Sequence, residues 1–372
     1  MAQNKLTTEP SMAAFCRGLP DDLINLHSSH PAPMSPSQLT ELIDFKPAQL
    51  HQILAQDYTP MAGSENLRSA IVQAHYRDIN PDDIMTTCGA QEAIFIILNA
   101  LLEKDDRVVC LTPVFEPLYL QAKIAGATVD TVPLLADQKW VIDWPALEKA
   151  VSNQTRLLII NFPHNPTGSH ISEQELSKLV NLCRKNDCWL LSDEVFRGLE
   201  HQSGERLPAA VDCYEKAISM AVMSKAYGLP AIRLGWIACR QARLRNRMMA
   251  VKRHLSICGS GLDENAALQI LPHSQTFFNH HRRQLNQNRA LLADNLTHLP
   301  HLNCFLPQAG ATCFARLKPN QGLSGEDFAR HLAQQKSILV YPETCFVTDI
   351  SGFRLSISHK NMAKYYHQLR TT

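Results

Sequence analysis

The sequence of 372 residues predicts an α/β fold. A large domain with a mainly parallel sheet wrapped by helices is joined to a smaller α+β domain formed by the N-terminal arm and the C-terminal segment. Three observations carry this expectation. From about residue 83, short apolar runs alternate with amphipathic stretches of helical period. Runs such as residues 157–160 are apolar throughout, as strands covered on both faces are. The chain is also longer than one core usually grows, so a second, smaller domain is expected.

Taken in order, the first ~45 residues are irregular and rich in Pro, Ser and His, notably Asn25-Leu26-His27-Ser28-Ser29-His30-Pro31-Ala32-Pro33. They read as an arm that folds onto the rest. Residues 1–50 are assigned to this arm and part of the small domain. Residues 51–275 form the large domain and residues 276–372 the C-terminal small domain. Strands are expected over 84–87, 107–111, 128–133, 156–162, 189–193 and 217–223, with helices over 90–103, 118–125, 144–151 and 173–186 between them. A helix between successive strands is the crossover that parallel pairing requires. Residues 244–254 and 277–299 read as long helices, the second leading out of the large domain. Residues 302–317, 327–335 and 353–358 supply the strands and helix of the C-terminal part.

Composition excludes several classes. Apolar content is 45%, charged content 19% and formal net charge +1. Nothing in that balance calls for nucleic acid or a membrane surface as a partner. The 11 cysteines include no Cys-x-x-Cys pair and no zinc-like spacing, so no metal is expected. Cys110, Cys183, Cys188 and Cys239 lie in apolar runs and read as small buried hydrophobes. A reducing, cytoplasmic setting is expected. The N-terminus lacks a signal-peptide core, and the longest apolar run, near residues 93–102, is too short to span a bilayer.

The most informative stretch is Met-Ser-Lys-Ala-Tyr-Gly-Leu-Pro-Ala-Ile-Arg, with Lys225 at the end of an apolar run and Arg233 eight residues on. Desolvation disfavours the charge of such a lysine, and its amine can form a Schiff base with an aldehyde cofactor. The planar fork of Arg233 suits a phosphate. Upstream, Cys88-Gly89-Ala90-Gln91 joins a strand to a helix, whose first N–H groups make an anion site. Phe115 follows the next strand and can stack on a flat ring, although core packing is the commoner fate of a Phe. Asn165 precedes Pro166 in Asn-Pro-Thr-Gly, which restricts its backbone and the direction of its amide. His164 beside it reads as structural. Asp193 ends a strand, where parallel sheets bind ligands, and can keep a pyridine nitrogen protonated; a helix N-cap is the alternative. Arg354 lies in a C-terminal strand and can clamp a carboxylate, or form a surface ion pair.

This order of motifs resembles the fold-type I pyridoxal-phosphate enzymes, specifically the class I/II aminotransferase family, over roughly residues 55–360. The resemblance implies that Lys225 carries the cofactor and shuttles the Cα proton. It places Asp193 on the pyridine nitrogen, Asn165 on the ring oxygen and Phe115 against the ring. Gly89, Ala90, Gln91, Ser224 and Arg233 would hold the phosphate, and Arg354 the substrate carboxylate. Tyr58 would reach the phosphate of a neighbouring subunit, so a homodimer with shared sites is expected.

Two departures stand out. Phe196 occupies the position where the family usually has a tyrosine that bonds the ring oxygen. The N-terminal loop carries His27, Ser28, Ser29 and His30, which can position a substrate side chain or move protons, or only cap a turn. Glu9, in the same arm, is a candidate partner for a cationic side chain. Local wording around Asp193, residues 206–210 and Lys225 also resembles the capreomycidine-synthase-like subgroup, whose members dehydrate and cyclise a hydroxylated arginine. That reaction is the leading expectation, and amino transfer to a 2-oxo acid is the alternative. A Rossmann dehydrogenase is disfavoured because no Gly-x-Gly-x-x-Gly follows a strand. A DNA-binding regulator of similar build is disfavoured because no basic helix-turn-helix pattern precedes Tyr58.

Overall fold

The computed structural model describes residues 9–45, 53, 57–202, 204–318 and 322–370. The expected domain boundary at residues 50 and 51 lies outside them. The chain opens with a helix at Ser11–Cys16, a short strand β1 (Ile24–Asn25) and a helix at Pro36–Ile43. The last of these begins at a capping box, in which Ser35 and Gln38 satisfy each other's backbone N–H groups. The expectation of an irregular arm is therefore only partly met. The Pro- and Ser-rich wording signals turns, and it also supplies the Ser-Pro start of a helix.

The large sheet contains β2 (Ile84–Thr87), β3 (Arg107–Thr112), β4 (Thr128–Pro133), β5 (Thr155–Asn161), β6 (Trp189–Asp193), β7 (Ala217–Val222) and β8 (Gly235–Cys239). Their spatial order is β2-β8-β7-β6-β5-β3-β4. Every pair is parallel except those of β8, which runs antiparallel to both β2 and β7. Residues of β6 and β7 are buried throughout, because helices cover both faces of a crossover sheet. Cys110, Cys183, Cys188 and Cys239 are fully buried, as their apolar neighbours imply.

A helix at Ser274–Leu296 leads onward. Its Asn288 amide donates to the carbonyls of Ile357 (2.8 Å) and His359 (3.0 Å), tying it to the C-terminal part. That part holds β9 (Leu302–Cys304), β10 (Thr312–Leu317), β11 (Ile338–Leu339), β12 (Tyr341–Pro342) and β13 (Gly352–Ser356). Four of these form an antiparallel sheet in the order β12-β13-β10-β9, with a helix at Gly325–Lys336 against it. The fifth, β11, pairs with β1 in parallel. The arm thus joins the C-terminal segment through backbone hydrogen bonds. Among the described residues, no helix is long and apolar enough to cross a membrane.

Candidate active site

Sheet direction decides which side chains meet. In the parallel strands β3, β5, β6 and β7, the C-terminal ends lie on one edge, where open α/β sheets bind ligands. That edge presents Phe115 beyond β3, Asn161 and Asn165 at β5, Asp193 at β6 and Lys225 beyond β7. Because β8 is antiparallel, its start is on the same edge: Gly235 pairs with both Val222 and Thr87. Arg233, just before β8, therefore meets Gly89, just after β2. A Cβ built on Gly89 would lie 2.5 Å from Arg233 Nη2, and Gly89 has φ +78°. The positive φ favours glycine there, and the Arg233 guanidinium lies directly above it. Ala90 and Gln91 follow in the first turn of the helix Gly89–Leu101, whose free N–H groups complete an anion cradle with Arg233. Ser224 is partly buried beside Lys225.

Asp193 is 3% exposed. Burial pushes its carboxyl up to about 7, opposed by the Val195 N–H (3.2 Å) and the Lys225 charge. Burial brings the Lys225 ammonium down to about 8, helped by the charges of Arg354 and Arg233 and opposed by Asp193. Lys225 Nζ donates to Ser29 Oγ at 2.7 Å and lies 5.9 Å from the centre of the Phe196 ring. Phe196 is buried and Phe115 partly buried.

Across the cleft, Arg354 Nη1 donates to Asn165 Oδ1 at 2.9 Å, and Nη2 donates to the His27 carbonyl. Its guanidinium lies 5.5 Å from the Tyr341 ring centre and 5.0 Å from that of Phe346. The Arg354 Nε is buried with no protein partner, so the fork retains a free donor. Burial brings Arg354 down to about 10, and it stays charged at neutral pH. Burial and the neighbouring Arg354 hold His27 down to about 4. His30 is also lowered by burial, and its Nδ1 lies 2.8 Å from the Pro31 carbonyl. The Ser28 N–H caps the Asn25 side chain at 2.9 Å. His164 is buried, tied to Thr167 at 2.8 Å, and held down to about 3 by burial, consistent with a structural role.

Glu9 and Ser29, both expected near a substrate, each have a protein partner. Glu9 forms an exposed ion pair with Arg17. An arginine eight residues on, across one short helix, is the nearer cation. Ser29 touches the lysine rather than standing free for a substrate. Tyr58 is 80% exposed, so any role at a cofactor requires a second subunit. Sequence reasoning also missed Asn161. Its amide donates to the Asp193 carbonyl at 2.9 Å, and its Oδ1 accepts from the Asn165 N–H at 2.8 Å. One side chain thereby spaces two site residues. A polar residue closing an apolar strand, the signal that singled out Asp193, marks Asn161 equally. Tyr341 was missed as well. It packs against His27 with ring centres 4.2 Å apart and planes tilted by 37°, and no local pattern points to it.

Comparison with known proteins follows this geometry. The family model for aminotransferase class I and II matches residues 21–369. Capreomycidine synthase of Streptomyces vinaceus is 29% identical over 299 residues, covering 80% of this chain and 75% of that protein. An aspartate aminotransferase of Musicola paradisiaca is 25% identical over 296 residues, covering 78% and 74%. In three dimensions, a PLP-dependent aminotransferase from Streptococcus suis superposes with TM-score 0.89 at 24% identity, over 98% of this chain and 97% of that one. The family match spans both sheets and every strand end described above, and the chain belongs to the class I and II aminotransferase family of pyridoxal-phosphate enzymes.

Proposed function

We propose that this enzyme acts at the Cα–H of an amino acid, dehydrating and cyclising a hydroxylated arginine to a cyclic guanidino amino acid. The fit to pyridoxal phosphate rests on the helix start at Gly89, whose first N–H groups have no intrahelical acceptor and lie beside the Arg233 guanidinium. In this reading Gly89, Ala90, Gln91, Ser224 and Arg233 hold the phosphate. Asp193 pairs with the pyridine nitrogen and Phe115 packs on the ring. Asn165 would lie on the ring-oxygen side, and Lys225 would hold the cofactor until a substrate amine takes its place. When bound, the cofactor supplies an electron-withdrawing ring that acidifies the Cα–H of an attached amino acid.

The chain's own groups do the rest. Asp193, whose charge attracts Lys225 and whose carboxyl burial pushes up to about 7, would be held ionised by a protonated ring nitrogen placed opposite it. Arg354 turns from Asn165 to take the substrate carboxylate with a bidentate fork. The amine of Lys225, brought down to about 8 by burial, is a competent base near neutral pH. It takes the Cα proton. The hydroxyl on the adjacent carbon then leaves with a proton as water, and a guanidine nitrogen adds to that carbon. The proton returns to Cα, so the net change is loss of one water.

The observation carrying this reading is what faces the lysine. Phe196 stands where a phenol would bond the ring oxygen, and a polar loop with Ser29, His27 and His30 borders Lys225. Such a loop sets a hydroxyl and neutral imidazoles beside the base, polar groups that simple amino transfer does not need. The likeness to a capreomycidine synthase supports it. A second reading, amino transfer to a 2-oxo acid, is favoured by the aspartate aminotransferase relatives. The deciding experiment supplies hydroxy-arginines and common amino acids with and without 2-oxoglutarate. Water loss independent of the oxo acid supports cyclisation; glutamate formed in proportion to substrate consumed refutes it.

A homodimer is part of the same proposal. Tyr58 (80% exposed), Leu255 (47%), Ile257 (51%) and Leu262 (45%) are large apolar side chains left open on one chain. Tyr58 and Leu262 line the same surface cleft. Sedimentation of the wild type and of Leu262→Glu tests the pairing. A dimer that the substitution dissociates supports it, and a wild-type monomer refutes it.

A further inference from the structure

We propose that Ser29 is the seat of the Lys225 amine whenever that nitrogen is free of the cofactor, a positioning residue for proton transfer rather than a substrate contact. The proposal rests on the reading of Lys225 given above. Ser29 Oγ accepts from Lys225 Nζ at 2.7 Å, and Ser29 is 8% exposed. That length is typical of a charge-assisted bond.

A hydroxyl suits this place for two reasons. It has both a proton and lone pairs. It accepts from the ammonium and, after rotation, donates to the lone pair of the neutral amine. A carboxylate or a carbonyl does only the first. It also adds no charge. The groups that face Lys225 are Arg354 and Arg233, which repel its positive charge, and Asp193, which attracts it. His27 and His30 feel Lys225 and Arg354 and are held neutral. A cationic partner from the loop would push the amine's proton off altogether.

The seat is rigidly built. Leu26 donates to the Leu339 carbonyl at 3.0 Å and accepts from the Ser356 N–H at 2.8 Å. The N–H groups of His27 and Ser28 both converge on Asn25 Oδ1, at 3.2 and 2.9 Å. The His30 ring lies along its own chain at the Pro31 carbonyl. Of the loop's polar groups, the Ser29 hydroxyl is the one bonded to Lys225. The loop belongs to the β1–β11 and β13 side, while Lys225 belongs to the large sheet. The bond therefore spans the cleft and fixes where the amine waits.

The test uses the full-length chain freed of cofactor. Lys225 is acetylated with acetic anhydride across a pH series, and the extent is read by mass spectrometry on its own peptide. Ser29→Ala removes an acceptor from the ammonium and should lower the labelling midpoint by about one pH unit. Ser29→Thr, which keeps the hydroxyl, should hold the wild-type midpoint. Ser29→Cys is close in size and a weaker acceptor, and should give a smaller shift in the same direction, so that the idea stays testable should the alanine variant fold poorly. Unchanged midpoints in Ser29→Ala and Ser29→Cys overturn the assignment. Hydride trapping of the cofactor separates the two claims. An adduct on Lys225 with unchanged midpoints sinks only the role of Ser29. Wild-type protein without that adduct sinks the reading of Lys225, and the assignment with it.

Discussion

The two walls of the cleft are built on different principles. On the large-sheet wall, Asn161, Asp193, Lys225 and the Gly89–Arg233 cradle all sit at or just beyond strand ends. Each position follows from strand direction and register. On the opposite wall, Ser29, His27 and Arg354 come from an arm and a small antiparallel sheet that meet only through long-range pairing. The first wall is a consequence of local pattern plus topology. The second exists only after the chain ends have found each other. The family's cofactor can therefore be read from the first, and the proposed cyclisation draws on the second.

Substitutions that break or sharpen this contrast run from large effects to small. Lys225→Ala should abolish Cα–H exchange of bound amino acids in deuterated water, a loss of at least ~10³-fold for a positioned base. Exchange within tenfold of wild type would place the base on the other wall. Arg354→Lys keeps the charge and loses the fork. KM for amino acids should rise roughly tenfold to a hundredfold with a smaller change in kcat. An equal fall in kcat with KM unchanged would mean Arg354 acts on the transition state instead. Asn161→Ala strips partners from two buried backbone groups and should cost about 1–3 kcal/mol in urea unfolding. It should also lower turnover by loosening Asp193 and Asn165. Stability at the wild-type level would show that the bracket is dispensable.

Histidines on the two walls provide a pH comparison. Burial holds His27 down to about 4 and His164 down to about 3. The unfolded chain takes up their protons near 6.5, as ordinary histidines do. Both groups are then stabilising above about pH 6.5, and that contribution is lost as pH falls toward 4 and 3. Urea midpoints of the cofactor-free chain should drop across this range, and His27→Asn and His164→Asn should each flatten the drop by about one proton's worth. A slope unaffected by either change contradicts the assigned burial. The smallest effect is expected at Glu9→Gln, which should leave KM for cationic substrates unchanged, because Glu9 is engaged with Arg17 at the surface. A clear rise in KM would return Glu9 to the substrate side.

The large wall was legible because apolar runs give strands, and strand ends give ligand positions. The strands at Ile84–Thr87, Thr128–Pro133 and Trp189–Asp193 occupy the residues expected of them. The strand β8 was not anticipated, since Gly235–Cys239 is short and follows β7 through a Pro-containing turn with no helix between them. Yet its reversed direction is what carries Arg233 to Gly89, so the motif was recognised without the geometry behind it. The arm was less legible still. The Ser35-Pro36 helix start was read only as part of an irregular arm, and nothing local says that Leu26 will bond to Leu339 and Ser356. Without that docking the direction of Ser29 is undetermined, and a serine in a Pro-rich loop reads as a turn. Glu9, read as a partner for a cationic ligand side chain, has the cation of Arg17 eight positions away, which local sequence reading did not weigh.

The central claim is that the nitrogen of Lys225 is the one the cofactor bonds. The direct measurement is reduction of the cofactor-loaded protein with borohydride, proteolysis and mapping of the modified lysine. The account predicts the cofactor's mass on the peptide containing Lys225, and its absence from that peptide in Lys225→Ala. Stoichiometric modification of a different lysine, or none at all in protein that has taken up pyridoxal phosphate, would contradict it.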